Sequence, residues 1–321
     1  GGIYSSSGSV APNSLSVVLS TISNNTATGA DGGGIRKRDG SLFVAESTIS
    51  GNFAGGAGGG ISAGYGNIDV DIAQSTLASN TAFGGGGGVF LINAVAVISD
   101  STIQGNQGNP GGGGLYSANN NLTINRSRIS GNSATDGGGI LNIGSISLNY
   151  STVSGNSATT GGGISHNEGN LTVTRSTISG NGASQGGGIL SETLAGFSTS
   201  IVSSTISLNV ASATGGGVFN AAGNTFIRHS TLTANQAPAN AGGGIASQAS
   251  GTLTFLTSTI VSNNVFGNDV QFVGGATNTF ASGGYNLVGT GNAATGPLNA
   301  FFQVGDQAGT GTARLGPLAD H

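Results

Sequence analysis

The chain has 321 residues, of which 63 are glycine, none is cysteine and only 6% are charged, with a formal net charge of −4. The lack of cysteine excludes a disulfide framework and a cysteine-based metal site. The weakly acidic balance gives no reason to expect nucleic acid or an anionic membrane as a partner, and no apolar run approaches the roughly 18 residues of a membrane-spanning helix.

A unit of about 26 residues recurs ten times along the chain. Each unit carries a segment similar to Ser-Thr-Ile-Ser, an asparagine soon after it, and in nearly every case a Gly-rich step that ends in an aliphatic residue, as in residues 151–164. A fixed period in this range is typical of a solenoid, a propeller or another repeat array. The aliphatic residues of the ten segments are Ile22, Ile49, Leu77, Ile103, Ile129, Val153, Ile178, Ile206, Leu232 and Ile260.

The pattern within one unit predicts strands rather than helices. Leu171 and Val173 alternate with Thr172, and Ser176 and Ile178 alternate with Thr177, which is the period of two expected of a strand. The Gly-Gly-Gly-Ile step supplies a third short strand. A propeller blade needs about 40 residues, and the composition is poor in helix formers.

We therefore predict an all-β fold, a right-handed parallel β-helix with three short strands and about 26 residues per coil. Ten regular coils are expected over residues 1–264. Irregular coils that form a partial cap of the same solenoid are expected over residues 265–321, where the Ser-Thr-Ile-Ser segment no longer recurs.

An asparagine follows each aliphatic residue by three positions, so stacked coils would place ten asparagines in one column at a corner. We expect these amides to hydrogen-bond along the stack, because an unpaired buried amide is costly. The glycines are expected either to adopt positive φ at corners or to let neighbouring backbones approach closely. The predicted column is Asn25, Asn52, Asn80, Asn106, Asn132, Asn156, Asn181, Asn209, Asn235 and Asn263.

The threonines and serines on either side of each inward aliphatic residue form two outward columns of hydroxyl groups. Two such columns on a flat strand face resemble the layout of ice-binding solenoids, although hydroxyl groups also simply solvate a β-face. Arg128 interrupts one column, and Gln104 and Val261 interrupt the other. The predicted binding face, called the hydroxyl face below, is Thr48, Thr76, Thr102, Thr152, Thr177, Thr205 and Thr231.

The charged residues give one candidate for catalysis. Asp69 and Asp71 flank Val70 and point outward about 7 Å apart, a spacing that suits glycoside acid–base chemistry or a cation. Their expected neighbours, Phe43 and Val97, add no further charge, so two solvated acids is the favoured interpretation. We predict no catalytic residue, no metal site and no cofactor.

The remaining charged positions favour structural roles. The only basic cluster, residues 36–39, could bind an acidic sugar but is interpreted as an exposed turn. His166, His229 and His321 are predicted at unrelated corners, where none joins a nucleophile and an acid. Stacked coils are expected to place Asp100 over Arg126 as an exposed ion pair.

The paired Gly-Gly-Gly-Ile and Ile-x-Gly-Asn motifs resemble those of polymorphic outer membrane protein repeats, and the Ser-Thr-Ile-Ser-Gly-Asn arrays resemble those of bacterial surface proteins. Residues 284–289, 305–307 and 315–320 are similar to the end of the β-helix in the "choice-of-anchor Q" group. The resemblance covers nearly the whole chain. It implies a secreted or surface-attached protein with an adhesive or structural role, and it carries over no catalytic residue.

Three hypotheses about function follow. The first is a non-enzymatic extracellular or cell-surface solenoid, structural or adhesin-like, whose partners are surface glycans or, through end-to-end stacking into filaments, other copies of itself. The second is a carbohydrate-active enzyme with its site around Asp69 and Asp71 or outside this stretch. The third is an ice-binding protein. The opening Gly1-Gly2-Ile3 reads as a coil already under way, so we expect a mature or trimmed fragment.

Overall fold

The structure is a computed structural model that describes residues 1–6, 13–248, 251–275, 277–295 and 298–309. Within these residues the chain is all-β and contains no α-helix. Parallel strands stack at intervals of about 26 residues into a β-solenoid of about ten turns. The predicted fold class is therefore confirmed. His321 and the motif at 315–320 lie outside the described residues.

Three sheets run along the solenoid, and every pairing within them is parallel. Sheet 1 has 17 strands: Ile3–Ser5, Ser14–Val18, Ile35–Lys37, Gly40–Ala45, Ile61–Ala73, Val89–Ser99, Leu115–Asn125, Ile140–Asn149, Ile164–Glu168, Leu171–Thr174, Ile189–Glu192, Ser198–Val202, Val218–Arg228, Ile245–Gln248, Thr252–Thr257, Val270–Val273 and Phe280–Ser282.

Sheet 2 contains the Thr-Ile-Ser segments and has 12 strands: Thr21–Ser23, Thr48–Ser50, Thr76–Ala78, Thr102–Gln104, Arg128–Ser130, Thr152–Ser154, Thr177–Ser179, Thr205–Ser207, Thr231–Thr233, Ile260–Val261, Leu287–Val288 and Gln307–Ala308. Sheet 3 consists of a four-stranded and a two-stranded piece joined by isolated bridges. Its strands are Thr26–Ala27, Phe53–Ala54, Thr81–Ala82, Gln107–Gly108, Gly182–Gln185 and Val210–Thr214.

The arrangement of strands within a coil differs from the prediction in one detail. The strand after the glycines and the alternating strand both belong to sheet 1, and in some coils they are continuous, as in Ile61–Ala73 and Val89–Ser99. The third side of the coil is instead the segment that follows the asparagine, for example Thr81–Ala82. A strand of two residues carries no periodicity, so the sequence pattern could not reveal it.

The main hydrophobic core is one continuous cluster along the solenoid, built largely of stacked aliphatic side chains. Leu77 pairs with Ile49 in the preceding coil and with Ile103 in the following coil, and all three are fully buried. Burial of one such side chain stabilises the fold by about 1.5–3 kcal/mol. On the side of sheet 3 the inward residues are small, such as Ala54 and Ala82, so the coil is thinner there.

Both expected uses of glycine occur, at different positions of the Gly-Gly-Gly step. Gly58 adopts a φ of +71°, which an L-residue with a side chain rarely adopts. A Cβ on Gly59 would lie 2.5 Å from the carbonyl oxygen of Thr81, and one on Gly60 would lie 2.6 Å from that of Gly88. A side chain at the second or third position would therefore push neighbouring coils apart.

Candidate functional site

The asparagine column forms a hydrogen-bonded ladder at the corner that follows sheet 2. The backbone N and the Nδ2 of Asn156 donate to Oδ1 of Asn181 at 3.0 and 2.9 Å, and Nδ2 also donates to the carbonyl oxygen of Ile129 at 3.1 Å. Its Oδ1 accepts from N and Nδ2 of Asn132 at 2.9 and 3.0 Å. Each amide is thus fully satisfied although it is buried. The same contacts recur at Asn52, Asn80, Asn106, Asn132, Asn181, Asn209 and Asn235.

The prediction for the tenth position of this ladder was wrong: it placed Asn263 in the ladder and Ile260 inward. Val261 pairs with Leu232 and is fully buried. Asn264 therefore takes the ladder position, and its Oδ1 accepts from N and Nδ2 of Asn235 at 3.0 and 2.9 Å. Asn263, with a φ of +60°, occupies the corner before it. The motif fits the sequence in two registers here, and burial of Val261 selects one.

A second ladder, of serine hydroxyls, lies at the corner before sheet 2, and the sequence reasoning missed it. Oγ of Ser151 accepts from the backbone N of Ser127 at 3.0 Å and donates to the carbonyl oxygen of Asn149 at 2.8 Å. A signal was present, because serine stands two residues before the aliphatic residue in nine consecutive units. The hydroxyls that accept from the preceding coil belong to Ser47, Ser75, Ser101, Ser127, Ser151, Ser176, Ser204 and Ser230.

The asparagine ladder ends at the carboxylate of Asp269, and a second carboxylate, that of Asp306, accepts from Asn286, whose own Oδ1 accepts from the backbone N of Thr259. Oδ1 of Asp269 accepts from N and Nδ2 of Asn264 at 3.0 and 2.8 Å, and its Oδ2 accepts from N of Thr290 at 2.7 Å. Asp306 receives N and Nδ2 of Asn286 in the same way, at 3.0 and 3.1 Å. An ionised carboxylate only accepts hydrogen bonds, so it can end a row in which each amide oxygen accepts from the asparagine of the preceding coil.

The hydroxyl face lies along sheet 2 in one register. Thr152 pairs with Thr177 on one side and with Arg128 on the other, and Arg128 in turn pairs with Thr102. Thr48 is exposed and the other six threonines are half-buried. None of the seven threonine hydroxyls has a hydrogen-bond partner within the described residues, which leaves them available to solvent or a ligand. The seven are Thr48, Thr76, Thr102, Thr152, Thr177, Thr205 and Thr231.

Asp69 and Asp71 lie on the outer surface of sheet 1, as expected. The register places Asp71 between Phe43 and Val97, and Asp69 beside Val95. Together they border a shallow groove of about 300 Å³ whose other lining side chains are uncharged. Across the described ranges, no group of three His, Cys, Asp or Glu side chains is arranged to hold a metal ion.

The basic segment 36–39 was wrongly interpreted as an exposed turn. It begins in the sheet 1 strand Ile35–Lys37, where Lys37 points inward and is 1% exposed. Its Nζ donates to Oδ1 of Asn13 and lies 4.0 Å from a carboxylate oxygen of Asp39. Desolvation lowers the pKa of the Lys37 ammonium group. The inward direction follows from strand alternation after Ile35, which the sequence reasoning did not apply to this segment.

The outward residue of that strand, Arg36, belongs to a cluster that the sequence did not suggest. Its guanidinium lies 5.7 Å from the ring centre of Tyr4 and 6.0 Å from that of Tyr65. Asp31 pairs with Arg36 at 3.1 Å and accepts from the Tyr65 hydroxyl at 3.1 Å. Arg38 also lies over the Tyr65 ring, at 5.9 Å. These contacts tie the first three coils together on the outside of sheet 1.

His166 is not at a corner but on the inner side of sheet 1, where it is fully buried. Its Nδ1 accepts from Nδ2 of Asn142 at 2.9 Å, and its Nε2 donates to the carbonyl oxygen of Gly169 at 3.1 Å. Burial lowers the pKa of this imidazole to about 4. His229 stands at an exposed corner with a φ of +50°. His166 is therefore held by buried hydrogen bonds, whereas His229 lies at the surface.

His166 is part of a polar seam inside the solenoid, which lies beside the aliphatic core. The hydroxyls of Ser191 and Thr199 lie 2.8 Å apart, and Thr254 donates to Ser247 at 2.9 Å. Several polar atoms of the seam are buried without a protein partner: Oδ1 of Asn142, Oδ1 of Asn220 and Oγ1 of Thr225. Buried polar atoms of this kind are commonly satisfied by internal water.

One further ion pair and one interaction between two acidic side chains lie outside these sites. The expected pair forms between stacked coils, with Nε and Nη2 of Arg126 each 2.7 Å from an oxygen of Asp100. The hydrogen bonds from Arg126 lower the pKa of the Asp100 carboxyl. Burial raises the pKa of the Glu192 carboxyl, and the negative charge of Asp136 adds to that shift. The sequence did not single out Glu192 or Asp136.

Comparisons with protein families, with curated proteins and with solved structures found no match to this chain. In the described part of the chain there is no helix with the length and apolar character needed to cross a membrane.

Proposed function

We propose that this chain is a non-enzymatic extracellular or cell-surface β-solenoid with a structural or adhesin-like role, and that its hydroxyl face contacts glycans or other surfaces. The observation that carries this proposal is the register of sheet 2, which presents seven threonine hydroxyls without internal partners on one face. The two ladders support a rigid rod, because they join successive coils through buried and satisfied hydrogen bonds.

Adhesion to polysaccharide-coated surfaces tests the role of the face. Replacing Thr152 and Thr177 together by tyrosine should weaken adhesion strongly, because two large rings disrupt a flat surface of small hydroxyls. A matched control replaces Ser147 and Thr172, outward residues of sheet 1, by tyrosine. Equal loss in the two double variants, or no adhesion by the parent, would count against the proposal.

Self-association is a separate part of the proposal. Its support is general, since the end of any stack of parallel coils presents unpaired strand backbone. Negative-stain electron microscopy of concentrated protein should show rods longer than the roughly 48 Å of ten coils spaced about 4.8 Å apart. Particles that stay at the length of one chain at every concentration would remove end-to-end stacking.

The register of the threonines also supports ice binding as a second candidate function. Regular hydroxyl columns on a rigid flat face resemble the layout of ice-binding solenoids, and Arg128 interrupts the order between Thr102 and Thr152. Thermal hysteresis measurements on the parent and on the Thr152→Tyr/Thr177→Tyr variant address this candidate. Absence of hysteresis in the parent eliminates it.

A carbohydrate-active enzyme is the third candidate, supported by the groove beside Asp69 and Asp71. A polysaccharide depolymerisation screen should detect products if this groove is catalytic. The Asp69→Asn/Asp71→Asn variant assigns any activity found. A parent that depolymerises no polysaccharide in the panel leaves the structural proposal in place.

A further inference from the structure

A pocket of about 320 Å³ opens on the outer side of sheet 3, away from the hydroxyl face. Three successive coils contribute the same two positions, so the pocket has a repeated lining. Sheet 3 loses its regular pairing at this place, because Gln107–Gly108 is its fourth strand and a single bridge links Gln107 to the next coil. The side chains that define the pocket are Thr81, Phe83, Gln107, Asn109, Ser133 and Thr135.

The polar side chains that line the pocket are uncharged and are not engaged in hydrogen bonds among the described residues. Within the described residues, none of the side-chain amides and hydroxyls that line the pocket has a hydrogen-bond partner. Gln107 and Asn109 each offer an amide donor and an acceptor, and Ser133 and Thr135 offer hydroxyls. These contrast with the ladder amides of the same coils, such as Asn106, whose hydrogen bonds are all made internally. The pocket therefore holds unused donors and acceptors around a concave surface.

Phe83 supplies the apolar part of the pocket. It is 61% exposed, so its ring presents apolar surface to the pocket. The ring is held at its place by Phe53, with the ring centres 5.1 Å apart and the planes at 87°. An exposed ring kept in a fixed orientation beside free amides and hydroxyls is suited to a ligand with one apolar face and a polar edge.

We infer that this pocket is a binding subsite for a neutral sugar unit of a glycan, with Phe83 as the platform for the C–H face of the ring and Gln107 and Asn109 as partners of its hydroxyl groups. The volume lies at the lower end of the range of small-molecule sites, about 300–1,000 Å³, which favours a short saccharide unit. An acidic sugar is disfavoured, because no cationic side chain lines the pocket and the chain carries a net charge of −4. This inference rests on the proposed contact with glycans and adds a second surface to it.

Titration calorimetry of the folded chain with neutral oligosaccharides and with matched uronate and sulfated oligosaccharides tests the inference. The Phe83→Ala variant should weaken binding of a neutral oligosaccharide at least tenfold. The Gln107→Ala/Asn109→Ala variant keeps the Phe83 ring and should also weaken this binding, because it removes the amide partners of the sugar hydroxyl groups. Phe197→Ala is the matched control, since Phe197 is 39% exposed and lies outside the pocket. Far-UV circular dichroism verifies that each variant remains folded.

The outcomes separate this inference from the proposed function. Binding that Phe83→Ala leaves intact but Thr152→Tyr/Thr177→Tyr abolishes overturns the pocket and supports the hydroxyl face. A parent that binds only acidic sugars, or no oligosaccharide, also overturns the pocket, whereas adhesion to whole surfaces judges the proposed function independently. Binding that is lost in Phe83→Ala and retained in Phe197→Ala and in Thr152→Tyr/Thr177→Tyr supports the subsite.

Discussion

The Asn ladder offers the sharpest test of how the coils are held together. Asn156→Leu keeps a side chain of similar size at a corner that is 1% exposed, but it removes the amide. The backbone N–H of Asn132 and one Nδ2 hydrogen of Asn132 then lose their shared acceptor. The carbonyl oxygen of Ile129 loses the donor that lay 3.1 Å away.

The Ile129 carbonyl oxygen keeps the parallel ladder of sheet 2, so two buried donors of Asn132 are left without an acceptor. Each unsatisfied group costs about 1–3 kcal/mol, so Asn156→Leu should lower the free energy of unfolding by at least about 2 kcal/mol. Asn25→Leu is the matched control, because no described residue donates to the Oδ1 of Asn25 and its own donors reach Asn52 and the carbonyl oxygen of Ser23 at a partly exposed corner. We expect the control to cost less than about 1 kcal/mol.

Urea denaturation followed by far-UV circular dichroism measures both variants against the parent. Equal losses of stability at the two positions would refute the reasoning, since the ladder contacts would then not decide the cost. An Asn156→Leu variant as stable as the parent would also refute the reasoning. It would show that water or a small shift of the coils satisfies the unpaired groups.

Three further predictions concern the core, a titrating group and a corner. Val153→Asp should cost several kcal/mol in urea denaturation, because Val153 is fully buried and the new charge has no partner; unchanged stability would contradict its inward position. Since the pKa of His166 falls from 6.5 to about 4 on folding, the contribution of His166 to the free energy of unfolding should be constant well above pH 6.5 and drop by about 3 kcal/mol as pH falls to 4. His166→Gln should flatten that decrease, and an equally steep decrease in the variant would exclude His166 as its source. Leu208 has a φ of +59°, so Leu208→Gly should stabilise the protein by about 1 kcal/mol. Gly155 has a φ of +63°, and a Cβ there would meet only one atom, at 4.0 Å, so Gly155→Ala should destabilise the protein by about as much through backbone strain alone. Thermal unfolding compares the pair, and a shift of the same sign in both would contradict the argument.

Repetition made the fold predictable. The regular return of an aliphatic residue and an asparagine defines the coil, and the alternation around Ile178 defines which side chains point inward. The same alternation placed Phe43 and Val97 beside Asp71, as the register shows. Contacts between coils follow from the repeat because each residue meets its own counterpart one period later.

Single residues were harder to place where the repeat departs from regularity. Residues 258–264 fit the motif in two registers, and only burial of Val261 decided that Asn264 enters the ladder. Lys37 was predicted to be exposed because it is charged, but the geometry of its strand directs the side chain inward toward Asn13. The backbone of a strand determines whether a side chain points inward or outward, so the charge of Lys37 did not decide its direction.

The sequence by itself determined the repeat length, the parallel stacking and the identity of the inward aliphatic column, because these depend on local alternation and on a period that the chain repeats. Only the tertiary structure decided where the coil bends, and so which residues share a surface. Thr81, Gln107 and Ser133 lie one period apart and look like ordinary corner residues in the sequence, yet the bend after sheet 2 brings them, with Phe83, around one pocket. Side-chain direction at a bend depends on backbone φ and ψ rather than on periodicity, which is why this surface emerged only from the folded chain.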